Sequence, residues 1–231
     1  MNKILITLLF SCLYVYGQKK TIGDFSELII RDGLHVTLIK SETNEVMITS
    51  VNEQGVTLTN KDGQLKISMK PVEALKGIDG NIELFYTGRI NKIDVSRGAY
   101  LSTLDTIITQ NIDIISRKGG EIELVLDVKK ANYVAKSGGK IIVKGRADQQ
   151  HIHISSGGVV NAEHTLSKDT TAKILFGGSC DIQATTLFDL TTRFGGVARV
   201  YGNPLKTVHN KTLGGSITVS YTHLRAHETS P

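Results

Sequence analysis

Ser137-Gly138-Gly139-Lys140-Ile141-Ile142-Val143 is answered 19 residues on by Ser156-Gly157-Gly158-Val159-Val160-Asn161-Ala162. The step belongs to a ladder of six glycine pairs: Gly119-Gly120, Gly138-Gly139, Gly157-Gly158, Gly177-Gly178, Gly195-Gly196 and Gly214-Gly215. Their first members lie 19, 19, 20, 18 and 19 residues apart, and a weaker copy, Gly98-Ala99, stands 21 residues before the first. A fixed period near 20 is the mark of a stacked-repeat architecture. The second residue after each pair is Ile122, Ile141, Val160, Cys180, Ala198 or Ile217, and the fourth is Leu124, Val143, Ala162, Ile182, Val200 or Val219. All are apolar, and the residues between them are mostly polar. Such period-two alternation belongs to a half-buried strand. No 3.6-residue stripe runs between the pairs, so the glycines do not read as helix caps.

The fold class expected is all-β: a single-stranded parallel β-solenoid (β-helix), with equivalent positions stacked in columns and glycine at each tight bend. The repeats occupy residues 90–218 in about seven coils, and the crossover preference favours right-handed winding. Phe176, Phe194 and Leu213 each precede a pair and should stack on successive coils. Glu121 should lie under Lys140 and Asp181 under Arg199, as surface ladders. Before the last pair, His209 and Lys211 replace the phase of Leu190 and Thr192, which marks a terminal coil or a missing downstream cap.

Residues 18–89 lack the repeat but are dense in β signals. Asp32-Gly33 between apolar runs predicts a hairpin, and Lys61-Asp62-Gly63 predicts another turn. Pro71 to Gly80 reads as a loop. The segment would cap the first coil as a hairpin-rich sheet or form degenerate coils itself, because an exposed parallel edge recruits other strands.

Composition sets outer bounds. Hydrophobic residues make up 40 % of the 231, aromatics 6 %, and Trp is absent, which suits a thin core of small side chains. The net charge of +5 is mild and scattered, without the basic stripe that nucleic-acid binding needs. Met1-Asn2-Lys3, the apolar run Ile4 to Phe10 and Val15-Tyr16-Gly17 read as a cleaved signal peptide over residues 1–17, too short to span a bilayer. A lipoprotein through Cys12 is the rival reading; bulky Phe10 and apolar Leu13-Tyr14-Val15 weigh against it. Both place the protein outside the cytoplasm, in the periplasm, at the outer membrane or beyond. Cys180 is then the one cysteine of the mature chain, in an inward column, and reads as a buried hydrophobe. Apart from Val219, which fits its column, residues 219–231 show no repeat phase and resemble the in-frame translation of a sequencing adapter, so they read as a non-native tail.

The signal peptide, the hairpin-rich first third and the steps Ser137-Gly138-Gly139 and Ser156-Gly157-Gly158 resemble the secreted "putative auto-transporter adhesin, head GIN domain" family over about Gly23 to Thr218. The resemblance implies a β-solenoid and a cell-envelope location, and carries over no catalytic residues.

Candidate chemistry is sparse. His151-x-His153 puts two imidazoles on one outward face, but the matching positions on the neighbouring coils are Asn132 and Val134 on one side and Thr171 and Lys173 on the other. No third ligand is supplied, so solvated surface histidines are expected rather than a metal. Solenoid polysaccharide lyases and hydrolases need paired carboxylates or a Ca²⁺ cage. Glu121-x-Glu123 is the only tight acidic pair, with Lys140 and Ile142 above it. The expectation is therefore a non-enzymatic module without cofactor, binding or scaffolding through glycan, envelope protein or a second copy of itself. A glycan-active enzyme is the alternative.

Overall fold

The computed structural model describes residues 19–49, 55–75 and 80–219. The leader with Cys12, and the tail after Val219, lie outside them. The middle of the chain shows how a coil forms. In Glu121–Lys136, Ile122, Leu124, Leu126 and Val128 are buried at alternate positions; the phase then slips by one, and Ala131, Tyr133 and Ala135 are buried instead. The slip at Lys129-Lys130 is a bend between two runs, each with one face inward. Ser137 and Gly138 then turn the chain with φ of 53° and 72°, and the next coil begins.

Among the described residues, eighteen strands and one short helix follow one another. The first third holds β1 (Lys19–Thr21), β2 (Glu27–Arg31), β3 (Leu34–Lys40), β4 (Glu45–Ile48), β5 (Val56–Lys61), β6 (Gln64–Met69), α1 (Pro71–Leu75) and β7 (Gly80–Tyr86). Then come β8 (Lys92–Ser96), β9 (Tyr100–Arg117), β10 (Glu121–Lys136) and β11 (Lys140–Ser155). The later coils are each split in two: β12 (Val159–Leu166) with β13 (Asp169–Leu175), β14 (Ser179–Gln183) with β15 (Leu187–Arg193), β16 (Val197–Tyr201) with β17 (Lys206–Thr212), and finally β18 (Ser216–Val219). From β8 onward every pairing is parallel, in the columns that the repeat requires: Ile122 beside Ile141, Ile141 beside Val160, Cys180 beside Ala198, Ala198 beside Ile217. The fold is a parallel β-solenoid. Val219 still pairs with Val200 and ends β18.

The two glycines of a pair answer different needs. A Cβ on Gly138, at φ +72°, would meet open space, so this position asks only for left-handed backbone. A Cβ on Gly139 would lie 2.2 Å from the Ser116 carbonyl oxygen in the coil before it. The coils therefore touch backbone to backbone at this corner. The residue before each pair is left-handed as well, including Phe176, Phe194 and Leu213 at φ 57°, 56° and 53°. Their side chains project outward, and the phenyl rings of Phe176 and Phe194 stack 5.1 Å apart and 3° from parallel, as the ladder predicts.

The first third departs from one part of its reading. The expected hairpin at Asp32-Gly33 is not there: β2 and β3 do not pair with each other. They are the two sides of a coil, parallel to β8 and β9 on one edge and to β6 and β7 on the other. Asp32 and Gly33, at φ 67° and 72°, make the same corner as Arg97 and Gly98 above them, and Gly33 N donates to Arg97 O at 3.0 Å. Parallel stacking thus reaches back before residue 90, and the order of coils is not the order of sequence: β6–β7 lies outside β2–β3, which lies outside β8–β9. At Lys61-Asp62-Gly63 the hairpin forms, with Lys61 opposite Gln64. The stretch read as a loop after Pro71 begins with α1. The outer edges of β6 and β7 are covered by antiparallel strands, β5 on β6 and β4 on β7, with β1 antiparallel on β4. A covered edge cannot template a further parallel strand.

At the other end the core thins. β15 buries Phe188, Leu190 and Thr192, while β17 sets Thr207, His209 and Lys211 beside them, half-buried or exposed.

Candidate binding trough

Because β6–β7 and β8–β9 are separated by the coil β2–β3, the chain between Tyr86 and Lys92 must cross the end of that intervening coil. The crossover Thr87–Asn91 is fastened where it passes. Lys40, the last residue of β3, donates from Nζ to the carbonyls of Thr87 and Gly88, the second at 3.2 Å. Its backbone N–H donates to Asp105 Oδ2 at 2.8 Å, and its ammonium sits 4.8 Å from the Tyr86 ring centroid. Asn44 Oδ1 accepts from Thr87 N at 2.9 Å, and Asn44 Nδ2 donates to Asp24 Oδ1 at 2.7 Å. Past the crossover, Asn91 N donates to Ser26 O at 2.8 Å, and Thr109 Oγ1 donates to Asn91 Oδ1 at 3.3 Å. Ile90 is buried. Arg89 alone projects, exposed, with no hydrogen bond or ion pair among the described residues.

Arg89 lines four adjoining concavities of 310, 340, 370 and 330 Å³. Together they form an open trough along the bends of the stacked coils, from Asp24 and Phe25 beside the crossover to Arg146 and Asp148 on β11. Its walls alternate in chemistry. Lys40, Arg89, Lys129 and Arg146 are cationic; Asp24, Asp113, Asp127 and Asp148 are anionic; Gln110, Asn91 and Asn111 are planar amides; Ile108 is 68 % exposed. Arg146 donates to Asp148 Oδ1 at 3.1 and 3.0 Å. That bond, with the charges of Lys168 and Lys129, lowers the Asp148 carboxyl below its ordinary range, so it is an anion at neutral pH.

The residues singled out in the sequence lie elsewhere. Glu121 and Glu123 are both engaged: Lys140 Nζ lies 2.6 Å from Glu121, while Lys144 Nζ at 3.3 Å and the Tyr100 hydroxyl at 3.2 Å reach Glu123. Asp181 accepts from Arg199 at 2.9 and 2.8 Å, the second expected ladder. Burial nonetheless raises the Asp181 carboxyl, and Glu163 adds to this against the pull of Arg199. His151 and His153 stand beside Asn132 and Thr171, and beside Val134 and Lys173. Burial and then the neighbouring lysines lower both imidazoles, so they are neutral at pH 7. No group of three or more His, Cys, Asp or Glu among the described residues could hold a metal ion. Cys180 is fully buried, and burial pushes its thiol up to about 12, which leaves it protonated and a poor nucleophile. The glycine pairs shape the corners and do not reach the trough. Arg89 and Lys40 were missed because the crossover lies outside the repeat, and its fastening joins residues 47 positions apart.

Fold and trough together define a class: a β-solenoid that displays a long, open, polar groove beside its ladders. The chain belongs to the family described as "Putative auto-transporter adhesin, head GIN domain", whose model matches residues 24–204. Three solved structures share the fold. A "putative adhesin" from Bacteroides fragilis is 19 % identical with a TM-score of 0.76, and one from Parabacteroides merdae is 17 % identical with a TM-score of 0.67. A "putative lipid binding protein" from Parabacteroides distasonis is 14 % identical with a TM-score of 0.66. In each case the match covers 88 % of this chain and 95 % of the other. A comparison with curated proteins finds no match. No helix among the described residues is long and apolar enough to cross a membrane.

Proposed function

We propose that this protein is an exported, non-catalytic adhesion module of the cell envelope that binds its ligand in the trough. The observation that supports this most is the fastened crossover: a loop pinned at both flanks presents one unpaired guanidinium over an open groove, so binding has little left to order. The enzymatic alternative needs an acid with a raised pKa beside a second carboxylate. In the trough Asp148 is shifted the other way, and Glu121 and Glu123 are held by lysines outside it; Asp181 is raised beside Glu163, but it too lies outside the trough and both its oxygens are held by Arg199. The test is binding of the purified protein to a glycan array and to isolated envelope fractions. Retention with the glycan recovered unchanged is expected. Reproducible product release, abolished by Glu121→Gln or Glu123→Gln, would overturn the reading in favour of catalysis.

A second reading is lipid contact, in line with the "putative lipid binding protein" of Parabacteroides distasonis. What favours it here is the exposed corner ridge of Phe176, Phe194 and Leu213, at 62 %, 52 % and 72 % exposure, since apolar tips without cover mark interaction surfaces. Serine occupies the same left-handed position at Ser137 and Ser156, so Phe194→Ser keeps the corner. Loss of vesicle co-sedimentation in that variant is the expected result on this reading; unchanged sedimentation excludes the ridge.

A further inference from the structure

We infer that the trough takes a stretch of acidic polysaccharide, with Arg89 holding the carboxylate of a uronic acid unit. This rests on the adhesion reading and names the ligand class for that site. Of the four cations on the walls, Lys40 is engaged by the crossover carbonyls and Arg146 by Asp148. Arg89 and Lys129 share one concavity; Lys129 makes no hydrogen bond or ion pair among the described residues but its charge acts on Asp148, which leaves Arg89 as the unengaged cation. A free guanidinium fork matches a carboxylate in two parallel hydrogen bonds.

The surroundings select what carries that carboxylate. Asp127 and Asp148 interrupt the cations in the concavity of Arg89, and Asp24 and Asp113 stand farther along the walls, so a chain charged at every unit, such as a nucleic acid or polyphosphate, would meet repulsion along the trough. A glycan whose uronic acids are separated by neutral sugars meets less repulsion, because only every second unit is charged: planar Gln110 and Asn111 and the free oxygens of Asp127 suit the hydroxyls of the neutral units. Exposed Ile108 offers an apolar spot for the C–H face of a ring. The shape agrees. The trough is long and open rather than a closed cavity, and it crosses successive coils at a rise of about 4.8 Å, comparable to the length of one pyranose unit.

Isothermal titration with a hexasaccharide that alternates glucuronic acid with neutral N-acetylglucosamine, against the same hexamer with its carboxyls reduced to alcohols, tests this. The acidic hexamer is expected to bind, and the reduced one to bind on the order of tenfold to a hundredfold more weakly, as for one lost charge-assisted pair. Arg89→Ala should weaken the acidic hexamer to the level of the reduced one, and Arg89→Lys should fall between. Lys173→Ala removes the same charge from the outward face of β13 and should change nothing. Circular dichroism checks that each variant is folded. Absence of binding by the acidic hexamer, equal binding of the two hexamers, or an Arg89→Ala effect no larger than that of Lys173→Ala would overturn the inference. Array or envelope binding that survives Arg89→Ala would remove the trough while leaving adhesion through another face. Loss of all glycan and envelope retention in the unaltered protein would remove the adhesion reading itself.

Discussion

Gly139→Ala is expected to destabilise the protein by about 3 kcal/mol or more, whereas Gly138→Ala, one residue away, should cost only about 1–2 kcal/mol. The difference comes from two separate constraints. At Gly138 the backbone is left-handed with open space beyond the missing Cβ, so alanine bears only the conformational cost. At Gly139 the new methyl would stand 2.2 Å from Ser116 O and 2.4 Å from its carbonyl carbon. Those are backbone atoms of the neighbouring coil, bonded into the ladder, and they cannot rotate away. The Ser116 hydroxyl, which donates to Gly120 O at 2.5 Å, also accepts from Lys140 N in the next coil at 3.1 Å, so separating the coils breaks that part-buried hydrogen bond too. Urea unfolding of the two variants checks this. Equal midpoints, or a larger loss at Gly138, would show that corner strain and not coil contact fixes the glycines.

Ile141→Asp should cost at least about 4 kcal/mol, the range reserved for an unpaired charge in a dry core. Ile141 is 0 % exposed, between Ile122 and Val160 in the stack, and no lysine or arginine is among the buried residues described. Raising the pKa enough to neutralise it still leaves an unpaired polar group. Thr171→Asp makes the outward comparison. Thr171 is exposed beside His151 and Asp189, so repulsion from Asp189 limits its cost to under about 1 kcal/mol. Hydrogen exchange should show the middle coils opening in the first variant and not in the second. Matching protection in both would contradict the assignment of faces.

These two results depend on features that a single sequence already contains. The glycine spacing, the alternation after each pair and the ladders Glu121–Lys140 and Asp181–Arg199 are consequences of one repeating coil, and a repeat makes a distant contact readable as a local one: whatever sits at a given phase must stack on its copy. For the same reason Phe176, Phe194 and Leu213 could be placed in a column from their spacing alone.

Where the repeat stops, that link is lost. Asp32-Gly33 and Asp62-Gly63 have nearly the same left-handed geometry, φ 67° and 72° against 53° and 75°, yet one is a coil corner and the other a hairpin. Both turns reverse or redirect a strand equally well. Only the partners decide: β2 and β3 find parallel neighbours on both edges, while β5, among the described residues, pairs with β6 alone. The same long-range pairing places β6–β7 outside β2–β3, forces the crossover over Lys40 and so creates the trough. Residues 40, 44, 89, 110 and 148 have no common phase, and each is ordinary in its own stretch of chain. Their meeting follows from strand order, which is set by edge pairing between segments far apart in the chain and leaves no mark on local composition.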